Sequence, residues 1–210
     1  MVDNISLRRS VKTRPAPNSA ISRNVSCANW VASALLSIDG TARIWDAETG
    51  DELLILSGHE GPVQQGRWNG DESQILTAGV DGAARVWDAE IGDELLSLSG
   101  HKWRVRQGEW NRDGSRIMTT GNDSTARVWD AETGAELITL SGHQGPIWQA
   151  RWSTNERHIL TAGEDSTARV WDAETGTELV ILSGHGGPVW QVDWSGDSSR
   201  ILTASVDGTA

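Results

Sequence analysis

GHEGPVQQGRWNGDESQILTAGVDGAARVWDAEIGDELLSLS, residues 58–99, is one full period of a pattern that fills most of the chain. Its Trp87-Asp88 pair recurs as Trp45-Asp46, Trp129-Asp130 and Trp171-Asp172, always 42 residues apart. Its opening Gly58-His59 recurs as Gly100-His101, Gly142-His143 and Gly184-His185. Three more ladders keep the same step: Asp39, Asp81, Asp123, Asp165 and Asp207; Thr77, Thr119, Thr161 and Thr203; Trp68, Trp110, Trp152 and Trp194. Five ladders with one step identify a copied and stacked unit. Composition carries the same mark, with 12 Trp but no Phe and no Tyr among 210 residues.

Within the unit the local signals are those of strands. VQQGRW (63–68) is short and β-permissive, and QILTAG (74–79) is an apolar run ending in glycine. A Val-Asp-Gly turn (80–82) leads into AARVW (83–87), and DAEIG (88–92) turns the chain into ELLSLS (94–99). Four short runs joined by tight turns predict a four-stranded antiparallel sheet. The amphipathic stretches of 10 residues or more that βαβ units require do not occur. The fold class is therefore all-β.

The net charge of −11 argues against nucleic acid as the main partner, since phosphate neutralisation needs a basic face. The first 30 residues run the other way, with Arg8, Arg9, Lys12, Arg14 and Arg23 against Asp3. Residues 1–29, rich in Ser, Asn, Arg and Pro, stand outside the repeat and read as a flexible basic tail. The single cysteine, Cys27, permits no intrachain disulfide and no Cys-rich metal site. No transmembrane-length run and no secretory signal are visible, so the expectation is a cytoplasmic protein with no membrane partner.

Gly-His, followed by an Asp six residues before Trp-Asp, at this repeat length, resembles the WD-repeat (WD-40) β-propeller family over about residues 39–210. The uniformity of the copies also resembles the near-identical amplified WD repeats of bacterial proteins. The resemblance implies a propeller of four-stranded blades across 30–210, with a partial blade at 30–57, full repeats at 58–99, 100–141 and 142–183, and a partial blade at 184–210. Upstream of Asp39 the first copy is imperfect: Leu35 stands where the other copies carry Thr. The resemblance also implies buried hydrogen-bonded sets. These are His59/Thr77/Asp81/Trp87, His101/Thr119/Asp123/Trp129, His143/Thr161/Asp165/Trp171 and the three-membered His185/Thr203/Asp207.

A His, a hydroxyl and an Asp also compose a catalytic triad, but a catalytic set belongs at one asymmetric site and this one recurs in every unit. One histidine per blade is too dispersed to share a metal ion, and single Asp-Gly turns lack the oxygens of a calcium loop. No catalytic residue, cofactor or metal is therefore expected. The ladder Gln65, Gln107, Gln149 and Gln191 could line a channel or complete strand hydrogen bonds, and the second reading is preferred.

Function is then sought where the copies differ. The resemblance implies that partners dock on one face, fed by three slots in each unit. The first slot reads Pro62, Arg104, Pro146, Pro188; the second Gln64, Arg106, Trp148, Trp190; the third Ile38, Val80, Asn122, Glu164, Val206. Arg104, Arg106, Trp148, Trp190, Asn122 and Glu164, with the adjacent Trp103, are the candidate partner-binding residues, because Trp and Arg are the side chains most enriched in interface hot spots. The expected function is a non-catalytic scaffold for proteins or peptides. The alternative is a sensor or regulatory segment of a larger signalling enzyme. Strand counting gives four blade equivalents with a half blade at each end. That leaves a fragment of a longer ring (preferred), self-association of two chains into a closed ring, or a strained four-bladed monomer.

Overall fold

The computed structural model describes residues 38–210, and these contain sixteen strands and no helix. The first two, β1 (Thr41–Trp45) and β2 (Glu52–Ser57), form a two-stranded antiparallel sheet. Three four-stranded sheets follow. They are β3 (Val63–Trp68), β4 (Gln74–Gly79), β5 (Ala83–Asp88) and β6 (Glu94–Ser99); then β7 (Val105–Trp110), β8 (Arg116–Gly121), β9 (Thr125–Asp130) and β10 (Glu136–Ser141); then β11 (Ile147–Trp152), β12 (His158–Gly163), β13 (Thr167–Asp172) and β14 (Glu178–Ser183). A last pair, β15 (Val189–Trp194) and β16 (Ile201–Ser205), closes the series. Each sheet is a simple meander whose strands pair in chain order. The runs expected as strands in 58–99 are β3 to β6, with one residue added to β5. The two-stranded sheets at either end remain separate sheets, so neither completes the other in this structure. Residues 1–29, Leu35 and the start of the partial blade at 30–57 lie outside the described residues.

The sheets approach one another most closely at their first strands β3, β7, β11 and β15 and draw apart toward their fourth strands. Apolar cores therefore form between sheets. Leu76, Ala84, Val86 and Leu98 from one sheet pack against Val105, Trp110, Ile117 and Trp129 of the next. Met118, Val128 and Leu140 meet Ile147, Ile159 and Trp171 one step further on. Because side chains alternate across a strand, each sheet offers one apolar face forward and one backward. That is why Leu76 and Ile75, neighbours in sequence, belong to different cores. A unit that buries surface only against its neighbours has to be repeated to be stable.

The glutamine ladder stitches these sheets together. Gln65 accepts from the Gly108 N–H at 2.7 Å, and Gln149 accepts from the Val192 N–H at 2.8 Å. Gln107 both accepts from the Ala150 N–H at 2.9 Å and donates to the Ala150 carbonyl at 3.2 Å. First strands of adjacent sheets do not pair with each other. The amide side chain supplies the partner that buried backbone requires.

Each first strand also carries one extra residue. Val63 faces Gly79 but Gln65 faces Ala78, so Gln64 has no opposite number. The same register shift skips Arg106, Trp148 and Trp190. These are β-bulges, which leave one residue outside the ladder and re-aim its side chain.

Candidate functional site

Two kinds of polar constellation emerge from this frame, one constant and one variable. In the constant set, Thr161 on β12 sits at the centre: the Trp171 indole N–H donates to its hydroxyl at 2.9 Å, and His143 Nε2 lies 2.8 Å from the same oxygen. His143 Nδ1 lies 3.0 Å from Asp165. An ionised carboxylate only accepts, so Nδ1 carries the proton, and Nε2 accepts the threonine hydroxyl hydrogen. Asp165 also accepts the backbone N–H of Gln144 at 2.9 Å, which ties the residue after the histidine to the turn between β12 and β13. The sets around Thr77 and Thr119 have the same connections, at 2.8 Å for both indole and imidazole contacts. All three threonines are fully buried.

Burial pushes the His59 and His143 imidazoles below their ordinary pKa, against the pull of Asp81 and Asp165. For Asp165, burial acts to raise the pKa but is outweighed by the Gln144 N–H, the Thr167 hydroxyl and His143, leaving the carboxyl at about 2. The Thr77 and Thr161 sets are thus neutral imidazoles on ionised carboxylates. This is a satisfied buried network that rigidifies the sheet and has no open position for a substrate.

The fourth set differs. His185 Nδ1 lies 3.1 Å from Asp207 and Nε2 lies 2.8 Å from Thr203, but this set is less buried than the others. A Cβ at Gly121 would lie 2.5 Å from His101 Nδ1 and 2.7 Å from Asp123 Oδ1, and Gly79 and Gly163 stand in the same crowded place. The corresponding residue in the fourth unit is Ser205, whose hydroxyl donates to the Gly187 carbonyl at 2.9 Å.

Sequence reasoning overlooked these glycines, although they step by 42 like the rest. It also overlooked an arginine ladder two residues before each Trp. Arg85 bridges Glu94 at 2.8 Å and Asp81 at 3.5 Å; Arg169 bridges Glu178 at 2.6 Å and Asp165 at 3.4 Å. Arg127 pairs with Glu136 and Arg43 with Glu52 in the same way. Their signal was present in the repeat, since Arg43, Arg85, Arg127 and Arg169 step by 42 like the rest.

The variable constellation is built on the bulges. The Arg106 guanidinium lies over the Trp148 ring, its Cζ 3.8 Å from the ring centroid. Trp148 in turn packs on Trp190, with ring centroids 5.8 Å apart and planes tilted by 43°. Arg106 Nε donates to Asn122 Oδ1 at 2.6 Å. Asn122 is itself held because its N–H donates to the Arg104 carbonyl at 3.0 Å. Burial and the like charge of Arg104 lower the Arg106 pKa, with Glu164 pulling the other way. The structure thus brings Arg104, Arg106, Asn122, Trp148, Trp190 and Glu164 into one neighbourhood that runs across three consecutive sheets. Trp103 stays outside the stack, 65% exposed and with its backbone carbonyl beside Gly82. Trp148 buries its indole Nε1 without an acceptor, so stacking rather than hydrogen bonding holds that ring.

At the other end of the first strands, a shallow groove of about 380 Å³ lies between Trp110 and Trp152, with Glu109, Arg112 and Glu156 on its walls. Glu156 crosses it to accept the Arg112 N–H, which ties the two sheets together. Among the described residues, no group of three His, Cys, Asp or Glu side chains is placed to hold a metal ion.

A family model described as "WD domain, G-beta repeat" matches residues 10–46, 50–88, 92–130, 134–172 and 176–210. Each internal match runs from the last strand of one sheet through the third strand of the next, so the family unit is offset from the sheet and spans the junction between sheets. The first match reaches back into the segment read as a basic tail, outside the described residues. A search of curated proteins finds no match. Matched along most of its length, and built of four-stranded antiparallel sheets carrying a repeated His-Thr-Asp-Trp set, the chain belongs to the WD-repeat family.

Proposed function

We propose that this protein is a non-catalytic scaffold that docks other proteins or peptides on the face carrying Arg104, Arg106, Trp148 and Trp190. WD repeats generally serve as protein-interaction scaffolds and are typically non-catalytic. The observation that carries the more specific reading is the position of the differing residues. Gln64, Arg106, Trp148 and Trp190 occupy the one place in each first strand that the ladder leaves unpaired. A bulge residue varies at little structural cost, and bulges are over-represented next to functional sites. The residues found there are guanidinium and indole groups, stacked and half exposed, which is the chemistry of interface anchors.

Replacing Arg104, Arg106, Trp148 and Trp190 together by Ala is expected to abolish capture of partner proteins on the immobilised chain while the far-UV spectrum and melting transition persist. Capture that is unchanged in the quadruple variant refutes the assignment.

A further inference from the structure

The geometry points to the occupant of this face: an acidic linear segment of a partner protein, with a side-chain carboxylate seated on the Arg106 fork and an adjacent aromatic or apolar side chain against the outer face of Trp190. The inference rests on the docking role proposed above and gives it a chemical class.

Arg106 is held in advance of any ligand. Its Nε is used by Asn122 at 2.6 Å and its plane by Trp148 at 3.8 Å, yet neither Nη has an acceptor among the described residues. A guanidinium fixed in this way with its fork open matches the two oxygens of a carboxylate, and little side-chain entropy remains to be lost. Arg104 adds a second cation whose field reaches Arg106, and Glu164 is the opposing charge nearby. With that glutamate present, the neighbourhood suits side-chain carboxylates better than a dianionic phosphate. Trp190 ends the row, packed at a tilt on Trp148, and is 56% exposed, leaving apolar ring surface one residue along the row from Arg106.

The charge pattern selects the shape of the partner. Residues 102–106 read Lys-Trp-Arg-Val-Arg, whereas the same stretch is Glu-Gly-Pro-Val-Gln at 60–64, Gln-Gly-Pro-Ile-Trp at 144–148 and Gly-Gly-Pro-Val-Trp at 186–190. One unit therefore carries a concentrated positive patch in a chain whose net charge is −11. A broad acidic surface would meet repulsion everywhere else on the molecule, while a short acidic segment meets only the patch. The chain's own residues 1–29 carry five cations against Asp3 and so lack the charge that complements this patch.

The test is fluorescence anisotropy on the full chain with two labelled peptides, GSEDWEDGSG and its amide isostere GSQNWQNGSG. The acidic peptide is expected to bind about tenfold or more tightly and to weaken with added salt. Arg106→Ala should erase that preference and Arg106→Lys should fail to restore it, because an ammonium offers no fork. Trp190→Ala should weaken both peptides alike. Equal binding of the two peptides, or a preference that survives Arg106→Ala, overturns the inference. So does tighter binding of a phosphoserine version of the peptide, or of a ten-residue oligothymidylate. If the peptides do not discriminate but the quadruple Ala variant still loses its captured partner, the acidic seat is refuted and the docking face stands. If capture also persists, both fail.

Discussion

Threonine 161 and tryptophan 190 lie one sheet apart and teach opposite lessons about a repeated sequence. Thr161 is fully buried, bonded to both His143 and Trp171, and has counterparts at Thr77, Thr119 and Thr203 at the same 42-residue step. Trp190 is more than half exposed, sits on a bulge, and is replaced by Gln64 and Arg106 in other units. Repetition marks the side chains whose surroundings are themselves repeated, which are those facing the inside of a sheet. One of the three variable slots falls on the bulge positions, which have no pairing partner, while the other two are joined to each other through the backbone. The same internal comparison thus separates what holds the blade from what the blade presents.

The contrast breaks most severely if the constant set is crowded. Gly121→Ala places a methyl group 2.5 Å from His101 Nδ1 and 2.7 Å from Asp123 Oδ1. Overpacking of this kind costs about 1–3 kcal/mol, and parting a buried imidazole from its carboxylate about as much again. We expect a loss of about 4 kcal/mol in urea denaturation, a large share of the stability of a domain this size. Ser205→Gly, at the equivalent place in the fourth unit, should change stability far less, because that set already accommodates a side chain. A Gly121→Ala loss no larger than that of Ser205→Gly would show that the glycine is not what admits the histidine.

Thr161→Val removes the shared oxygen without changing shape much. It strands the Trp171 indole N–H and His143 Nε2 in a buried place, for an expected loss of about 3 kcal/mol. Thr203→Val leaves no stranded indole in the described set and lies in a less buried site, so its loss should be smaller. Paired denaturation curves of the two variants measure the difference directly.

Acid sharpens the same distinction. His59 and His143 titrate below their ordinary value in the folded chain. As pH falls through about 6.5, the unfolded chain takes up protons that the folded chain refuses, so stability is lost on the acid side. Asp165, held at about 2, stays ionised across this window and does not blur the effect. The urea midpoint should therefore fall between pH 7.5 and pH 5.5. A midpoint that rises instead would mean that the histidines are charged partners of their aspartates in the folded state.

The all-β class and the strand boundaries of residues 58–99 were legible because each follows from a local rule, while the members of each buried set were named through the family resemblance. Alternation gives the strand, Asp-Gly gives the turn, and Gly82 duly has a positive φ of 82°. What stayed hidden needs two sheets at once. Nothing in VQQGRW tells a reader that Gln64 is skipped in the ladder while Gln65 reaches the next sheet; a bulge appears only when the opposite strand is in view. The glycines at 79, 121 and 163 read as strand ends until the imidazole beside them is placed. For the candidate face, the variable slots could be named in advance, but stacking of Arg106, Trp148 and Trp190 across three sheets depends on how closely the first strands approach. Trp103, named with them, does not join the stack.

The smallest effect on stability is expected at the end of the row proposed to bind. Trp190→Ala removes one ring from a tilted pair whose outer face already meets water, and no hydrogen bond goes with it. Such pairs contribute about 0.5–1.5 kcal/mol beyond area, and an exposed one belongs at the lower end. We expect a loss of about 0.5 kcal/mol, with the melting transition almost unmoved. The stack would lose its terminal surface, and any partner that seats an apolar group there would bind less tightly. A loss comparable to that of Thr161→Val would mean that Trp190 is an inter-sheet packing residue like Val189 and Val192, its neighbours in the buried core. The difference between these two variants, measured in one denaturation series, decides whether the bulge residues serve the fold or are presented by it.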